Sequence, residues 1–151
     1  MFAAIHFEIS NERSNMTRDG TIEEIVEAAM AARQFAYAPY SQFAVGAALL
    51  DEQGMLHTGC NVENGSFGLT VCAERVAVQN AVSLGQRKFS ILAVATQGGH
   101  APCGACRQVI SEFVPDLRIL LIDVAQSADF VETTLNRLLP NRFDFDETRG
   151  G

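Results

Sequence analysis

Basic residues are scarce in this chain: 11 Lys and Arg stand against 18 Asp and Glu over 151 residues, for a formal net charge of -7. The balance disfavours a surface that tracks a phosphate backbone, because proteins that hold nucleic acid usually carry a basic footprint. Tryptophan is absent and aromatics make up 8% of the chain, so an aromatic and basic track for single-stranded nucleic acid is lacking too. No apolar run approaches the roughly 18 to 20 residues that cross a bilayer, and no membrane partner is expected. The N-terminus, MFAAIHFEISNERSNMTRDG, lacks a basic start followed by an apolar block and a small-residue cleavage site, so no secretory signal is read and a cytoplasmic location is expected. Only four cysteines are present, Cys60, Cys72, Cys103 and Cys106, and in a cytosolic-looking chain of this size they do not read as a disulfide framework. Thiols or metal ligands fit better.

What remains is an ordinary globular composition, 48% apolar and 19% charged, with length enough for one hydrophobic core. Residues 1–20 show no sustained period and read as an extension, and residues 21–151 read as a single catalytic domain. Thr21 with Glu24 three residues on is a capping signal, and Ile22, Ile25, Val26, Ala29, Met30 and Ala36 recur at helical spacing, which predicts a helix to about Ala36. Phe43 to Leu50 reads as a buried strand. The turn at Asp51 to Gly54 and a second strand from Met55 to about Val62 complete a hairpin. Val76, Val78, Ala81, Val82 and Leu84 predict a helix ended by Gly85, and CGACRQVISEFV predicts another, broken by Pro115. Phe89 to Thr96 and Leu117 to Asp123 read as strands, and Asp129 to Leu139 holds a short strand and a last helical turn. Alternating strands and helices with one hairpin predict an α/β layered domain whose sheet is partly antiparallel.

Two short stretches carry the chemistry: CAER at 72–75 and PCGAC at 102–106, each opening a predicted helix. The positive end of a helix lowers a thiol pKa, so Cys72, Cys103 and Cys106 stand where thiolates are favoured. Cys103 and Cys106 alone would serve equally as a redox pair or half of a structural zinc clip. A four-thiolate clip that adds Cys60 has the wrong spacing between Cys60 and Cys72, and a redox pair leaves Cys72 and Glu74 without a purpose. Three thiolates with the fourth position open describe a catalytic zinc site. Glu74, two residues after a ligand, can stand beside the metal without binding it and move the proton of a water whose pKa zinc has lowered. Three thiolates leave about one net negative charge on the site, which Arg75 is expected to offset.

The chain resembles the small homotetrameric zinc-dependent cytidine deaminases, from Ile22 to Phe145, through YAPYSQFAVGAAL at 37–49, GCNVENGSFGLTVCAER at 59–75, PCGACRQVISEF at 102–113 and LLPNRF at 138–143. The resemblance implies a three-layer helix/sheet/helix sandwich with a mixed sheet of about five strands. It implies one zinc ion per chain on Cys72, Cys103 and Cys106, with Glu74 as proton shuttle. The activity implied is hydrolytic deamination of cytidine and deoxycytidine to uridine and deoxyuridine with release of ammonia, in pyrimidine salvage. Asn61 and Glu63 match the residues that hold the ribose 3'-hydroxyl, Phe43 the aromatic against the base, and the backbone at Ala73 the reader of the pyrimidine edge. Gly65, Phe67 and Phe143 match positions that reach a neighbouring subunit's site.

Two positions depart from the family pattern. Phe67 stands where tyrosine is common, so a hydroxyl contact to the nucleoside is lost while the ring is kept. Gly65 stands where alanine is common, which loosens the loop. Affinity or preference is expected to change, and the reaction is not. Deamination of another amino-pyrimidine nucleoside and a non-catalytic zinc-stabilised binding role are the competing expectations, and the sugar-binding pair in NVEN favours a free ribonucleoside.

Overall fold

The computed structural model describes residues 18–126 and 129–144. Most of the segment read as an N-terminal extension lies outside them, but Arg18 to Gly20 belong to the first helix. That helix, α1 (Arg18–Arg33), turns Ile25, Val26 and Ala29 inward. It ends three residues before the predicted Ala36 because the amides of Gln34, Phe35 and Ala36 bond carbonyls three residues back, at 3.1 Å each, and tighten the chain out of the α form.

Strands β1 (Gly46–Asp51) and β2 (Leu56–Cys60) form the predicted hairpin. Its turn is braced by Asp51, whose Oδ1 accepts from the amides of Gln53 at 2.8 Å and Met55 at 2.9 Å, while Oδ2 meets Nε2 of buried His57 at 2.9 Å. Burial pushes the Asp51 carboxyl up, and these hydrogen bonds outweigh it and hold the group below its usual range. The chain continues through a 3-10 turn (Phe67–Leu69), α2 (Ala73–Ser83), β3 (Phe89–Thr96), α3 (Gly104–Ser111), β4 (Arg118–Asp123), β5 (Phe130–Thr134) and the single turn α4 (Leu135–Leu138). Gly85, at φ +85, follows α2 where the helix was predicted to stop.

The five strands make one sheet in the order β2-β1-β3-β4-β5. Only β3 and β4 pair parallel, joined by the crossover through α3; the other pairs are antiparallel. The mixed sheet is therefore the one anticipated. Alternation along the strands divides the core in two. Ala47, Leu49, Leu92, Val94 and Ile119 face α2 and α3, where Ala77, Val78 and Ile110 pack, and Ala48, Leu50, Ala93 and Ala95 face α1. Each fully buried Ile or Leu on these faces contributes on the order of 1.5 to 3 kcal/mol from the area it removes from water. Helices on both faces complete the expected sandwich.

Two glycines let the layers close. A Cβ at Gly46 would lie 2.1 Å from the Ala29 carbonyl oxygen, so α1 presses onto β1 only because that side chain is missing. A Cβ at Gly59 would lie 2.4 Å from the Ala73 carbonyl oxygen, which brings the first turn of α2 against β2. Among the described residues no helix is long and apolar enough to cross a membrane.

Candidate metal centre and cleft

Cys72 and Cys103 are the N-cap residues of α2 and α3, and Cys106 lies in the first turn of α3, wholly buried. The two helix starts meet, so Cys72 converges with Cys103 and Cys106, 31 and 34 positions on in the sequence. All three Sγ atoms lie within 4.8 Å of one another, and those of Cys103 and Cys106 are 3.5 Å apart, far longer than a disulfide. Cys60 stands outside the cluster, its Sγ donating to the Phe35 carbonyl at 3.3 Å, which removes the four-thiolate clip.

The thiols do not titrate alike. A hydrogen bond from Cys106, aided by Arg75, holds Cys72 down at about 5 despite its partial burial. Cys106 moves the opposite way, because it donates to Cys72 and is buried, so its proton stays on. Arg75 reaches Cys72 Sγ at 3.7 Å with Nη2, which also donates to the Thr70 carbonyl at 3.0 Å, and its Nε is buried without a partner. Glu74 is 5% exposed, and burial raises its carboxyl above the usual range. It faces the same cluster from the first turn of α2.

A cleft of about 260 Å³ is lined by Cys72, Glu74 and Cys103 together with Phe43, Asn61 and Glu63. Phe43 is not in β1, as the apolar run had suggested, but in the loop before it, 39% exposed in the cleft wall. Side chains hold that loop. The Asn61 amide donates from Nδ2 to the Phe43 carbonyl and accepts at Oδ1 from the Val45 amide, both at 2.8 Å. The Glu63 carboxylate accepts from the Tyr40 amide at 2.8 Å, the Ser41 amide at 3.2 Å and the Ser41 hydroxyl. The hydroxyl bond keeps the carboxyl below its usual range. Gln42, at φ 58, completes the turn that delivers Phe43. By donor and acceptor count Asn61 still has one N–H and one lone pair to offer, and Glu63 at least one lone pair.

Ala73 is wholly buried and its side chain does not line the cleft; Gly65, Phe67 and Phe143 do not line it either. Phe67 is 75% exposed with its edge on the Tyr40 ring, 5.7 Å between centroids, and Phe143 is 70% exposed. Sequence reading missed Ser41, Thr70 and His100, which also line the cleft. His100 sits 5.9 Å from Phe43, ring to ring, with its amide anchored on Thr96 Oγ1 at 2.8 Å. Its place two residues ahead of Pro102 was the available signal.

The family model for the zinc-binding region of cytidine and deoxycytidylate deaminases matches residues 19–121. The chain belongs to the cytidine deaminase family. A cytidine deaminase from Sporosarcina psychrophila is 46% identical over 129 residues, 83% of this chain and 93% of that one. The crystal structure of cytidine deaminase from Burkholderia pseudomallei superposes with TM-score 0.77 at 46% identity, covering 85% of this chain and all of the other. For cytidine deaminase from Mycobacterium tuberculosis the TM-score is 0.71 at 39% identity, over 82% and 98% of the two chains.

For a cytidine deaminase family member the cofactor is zinc, and the donor set here fits it. Sulfurs on a tetrahedral zinc with bonds of about 2.3 Å lie about 3.8 Å apart. The spacing of 3.5 Å between Cys103 and Cys106 is close to that.

Proposed function

We propose that this protein is a zinc-dependent hydrolytic deaminase of cytidine and deoxycytidine, acting in pyrimidine salvage in the cytoplasm. The observation that carries the reading is the buried Glu74 beside three clustered thiols, with Cys72, Cys103 and Glu74 lining the same cleft as Asn61 and Glu63. Cys72, Cys103 and Cys106 would hold one zinc per chain. Zinc, when bound, supplies the Lewis acidity that makes water nucleophilic near neutral pH.

The pyrimidine lies against Phe43, with its edge read by the backbone at Ala73. Asn61 and Glu63 use their remaining donor and lone pairs on the ribose 3'-hydroxyl. Water oxygen attacks C4, and Glu74 takes the proton that the water loses and passes it to N3. Glu74 then takes the proton of the new C4 hydroxyl and gives it to the C4 amine, the C4 carbonyl forms as the C4–N bond breaks, and ammonia leaves uridine or deoxyuridine behind. A carboxyl raised by burial suits both acceptance and donation near neutrality. Arg75 offsets the negative charge of the thiolates through its contact with Cys72.

The family resemblance supports a homotetramer in which Gly65, Phe67 and Phe143 complete a neighbour's site, and their position outside the cleft of their own chain agrees with that reading. The loss of ultraviolet absorbance as cytidine is deaminated tests the function, with zinc measured on the same samples. Wild type should turn over cytidine and deoxycytidine, and Glu74→Ala should keep its zinc and lose activity by about 10²-fold or more. Wild type that holds one zinc per chain and deaminates neither nucleoside would overturn the proposal in favour of a zinc-stabilised binding protein.

A further inference from the structure

Arg107 follows the last cysteine of the cluster and makes two bonds in two directions. Its Nε donates to the Pro102 carbonyl at 2.7 Å, and its Nη1 donates to the Leu138 carbonyl at 2.9 Å. Pro102 immediately precedes Cys103, so the first bond ties the loop that enters the cap of α3 to the helix that carries Cys106. Leu138 ends α4, and its carbonyl is one of those a helix end leaves without a helical partner. The second bond satisfies it from α3.

The chain after Leu138 is pinned at two further points, both to α3 or its exit. Gln108 Nε2 donates to the Phe143 carbonyl at 2.9 Å, and Arg142 Nη1 donates to the carbonyls of Val114 and Pro115 at 3.3 and 2.6 Å. The Phe143 ring nevertheless stands 70% exposed. Backbone held at several points with its aromatic ring left in solvent is a presented side chain, ordered in advance for a partner surface. A loose C-terminal tail would have no such bonds.

We infer that Arg107 is a positioning residue that couples the metal-holding loop to the C-terminal segment presenting Phe143. Because α3 carries Cys103 at its cap and Cys106 in its first turn, the loop and the segment share one rigid support, and Arg107 is the side chain that touches both. The inference rests on the proposed function in one respect: where Phe143 reaches a neighbour's nucleoside site, the order of one subunit's metal loop sets the geometry of the next subunit's cleft. A planar guanidinium can serve two carbonyls at once, and the compact ammonium of lysine, on a flexible stem, cannot keep both bonds in the same geometry.

The test uses the full-length, zinc-loaded protein. Hydrogen exchange is followed in the segments 102–107 and 138–144 for wild type, Arg107→Lys and Gln108→Ala, with zinc content, kcat and KM for cytidine measured on the same samples. Arg107→Lys should keep one zinc per chain and speed exchange in both segments by about fivefold, the loss of one ordinary hydrogen bond. Its KM should rise severalfold while kcat stays within about twofold, the signature of weakened binding without damage to the chemistry. Gln108→Ala should loosen 138–144 alone and raise KM in the same way. Arg107→Lys that loosens one segment only, or that loosens both and leaves KM unchanged, would overturn the coupling. Exchange needs no turnover, so failure of the deaminase reading itself shows as an inactive wild type and is told apart from failure of the coupling.

Discussion

At the cysteine cluster, Cys72 and Cys106 lie close enough that one charges at the expense of the other. Cys72 is held down at about 5 and Cys106 is pushed up, which amounts to one thiolate accepting a hydrogen bond from one thiol. Zinc must displace that proton. Because Cys106 keeps its proton throughout the neutral range, binding releases at least one proton per chain, and affinity rises with pH by about tenfold per unit. Below about 5 Cys72 takes a proton as well, and the dependence steepens. Competition against a chromophoric chelator between about pH 6 and pH 8 should give a log affinity that climbs with a slope of at least about one. A flat profile would mean that the thiols are already deprotonated without metal. The residues concerned were all legible in sequence, since CAER and PCGAC name them, and Arg75 could be placed because three residues on a helix return to the same face. His100 and Ser41 were not legible, because their presence in the cleft depends on loops with no period to read.

Among the elements, the boundaries that moved did so for local reasons. The strand predicted from Phe43 begins at Gly46 because the Asn61 side chain takes the Phe43 carbonyl and the Val45 amide that a ladder partner would otherwise use. Helix α3 stops at Ser111, ahead of Pro115, whose ring disfavours helical backbone at Val114. The α1 cap predicted at Thr21 lies inside the helix, which starts at Arg18. The close approach of α1 to β1 carries its own expectation. Gly46→Ala places a methyl group 2.1 Å from a backbone oxygen, an obstacle no rotamer relieves, so α1 must shift from the sheet. Urea denaturation should show a loss of at least about 1 to 3 kcal/mol. A midpoint within error of wild type would show that the helix can move at no cost.

Among the described residues several large apolar side chains stand well exposed. Phe35 is 80% exposed, Phe67 75%, Phe143 70% and Leu69 66%. Scattered single exposures are ordinary, whereas a concentration of aromatics around a site marks a contact surface. Light scattering on the purified protein is expected to report the four chains per particle of the homotetramer proposed from the family resemblance, and dilution should cost activity as particles dissociate. A stable, fully active monomer would remove the shared-site reading and return Phe67 and Phe143 to their own chain.

The identity of the chemistry was decided by local sequence, because metal ligation and proton transfer depend on residue types at short, readable spacings: a cysteine, a carboxylate two residues on, and two more cysteines three apart. The order of helices and strands was legible for the same reason, each being a periodic pattern within one window. Only the tertiary structure decided which groups share the cleft. Convergence of α2 and α3 brings Cys72 to Cys103 and Cys106, and the packing of Gly46 and Gly59 sets how near the helices come to the sheet. Asn61 and Glu63, read from sequence as sugar contacts, also hold the Phe43 loop in place, and Arg107 links the metal loop to the C-terminal arm. All but the Arg107–Pro102 bond join residues 16 to 31 positions apart, a range over which no local pattern carries information and only the folded chain brings donor to acceptor.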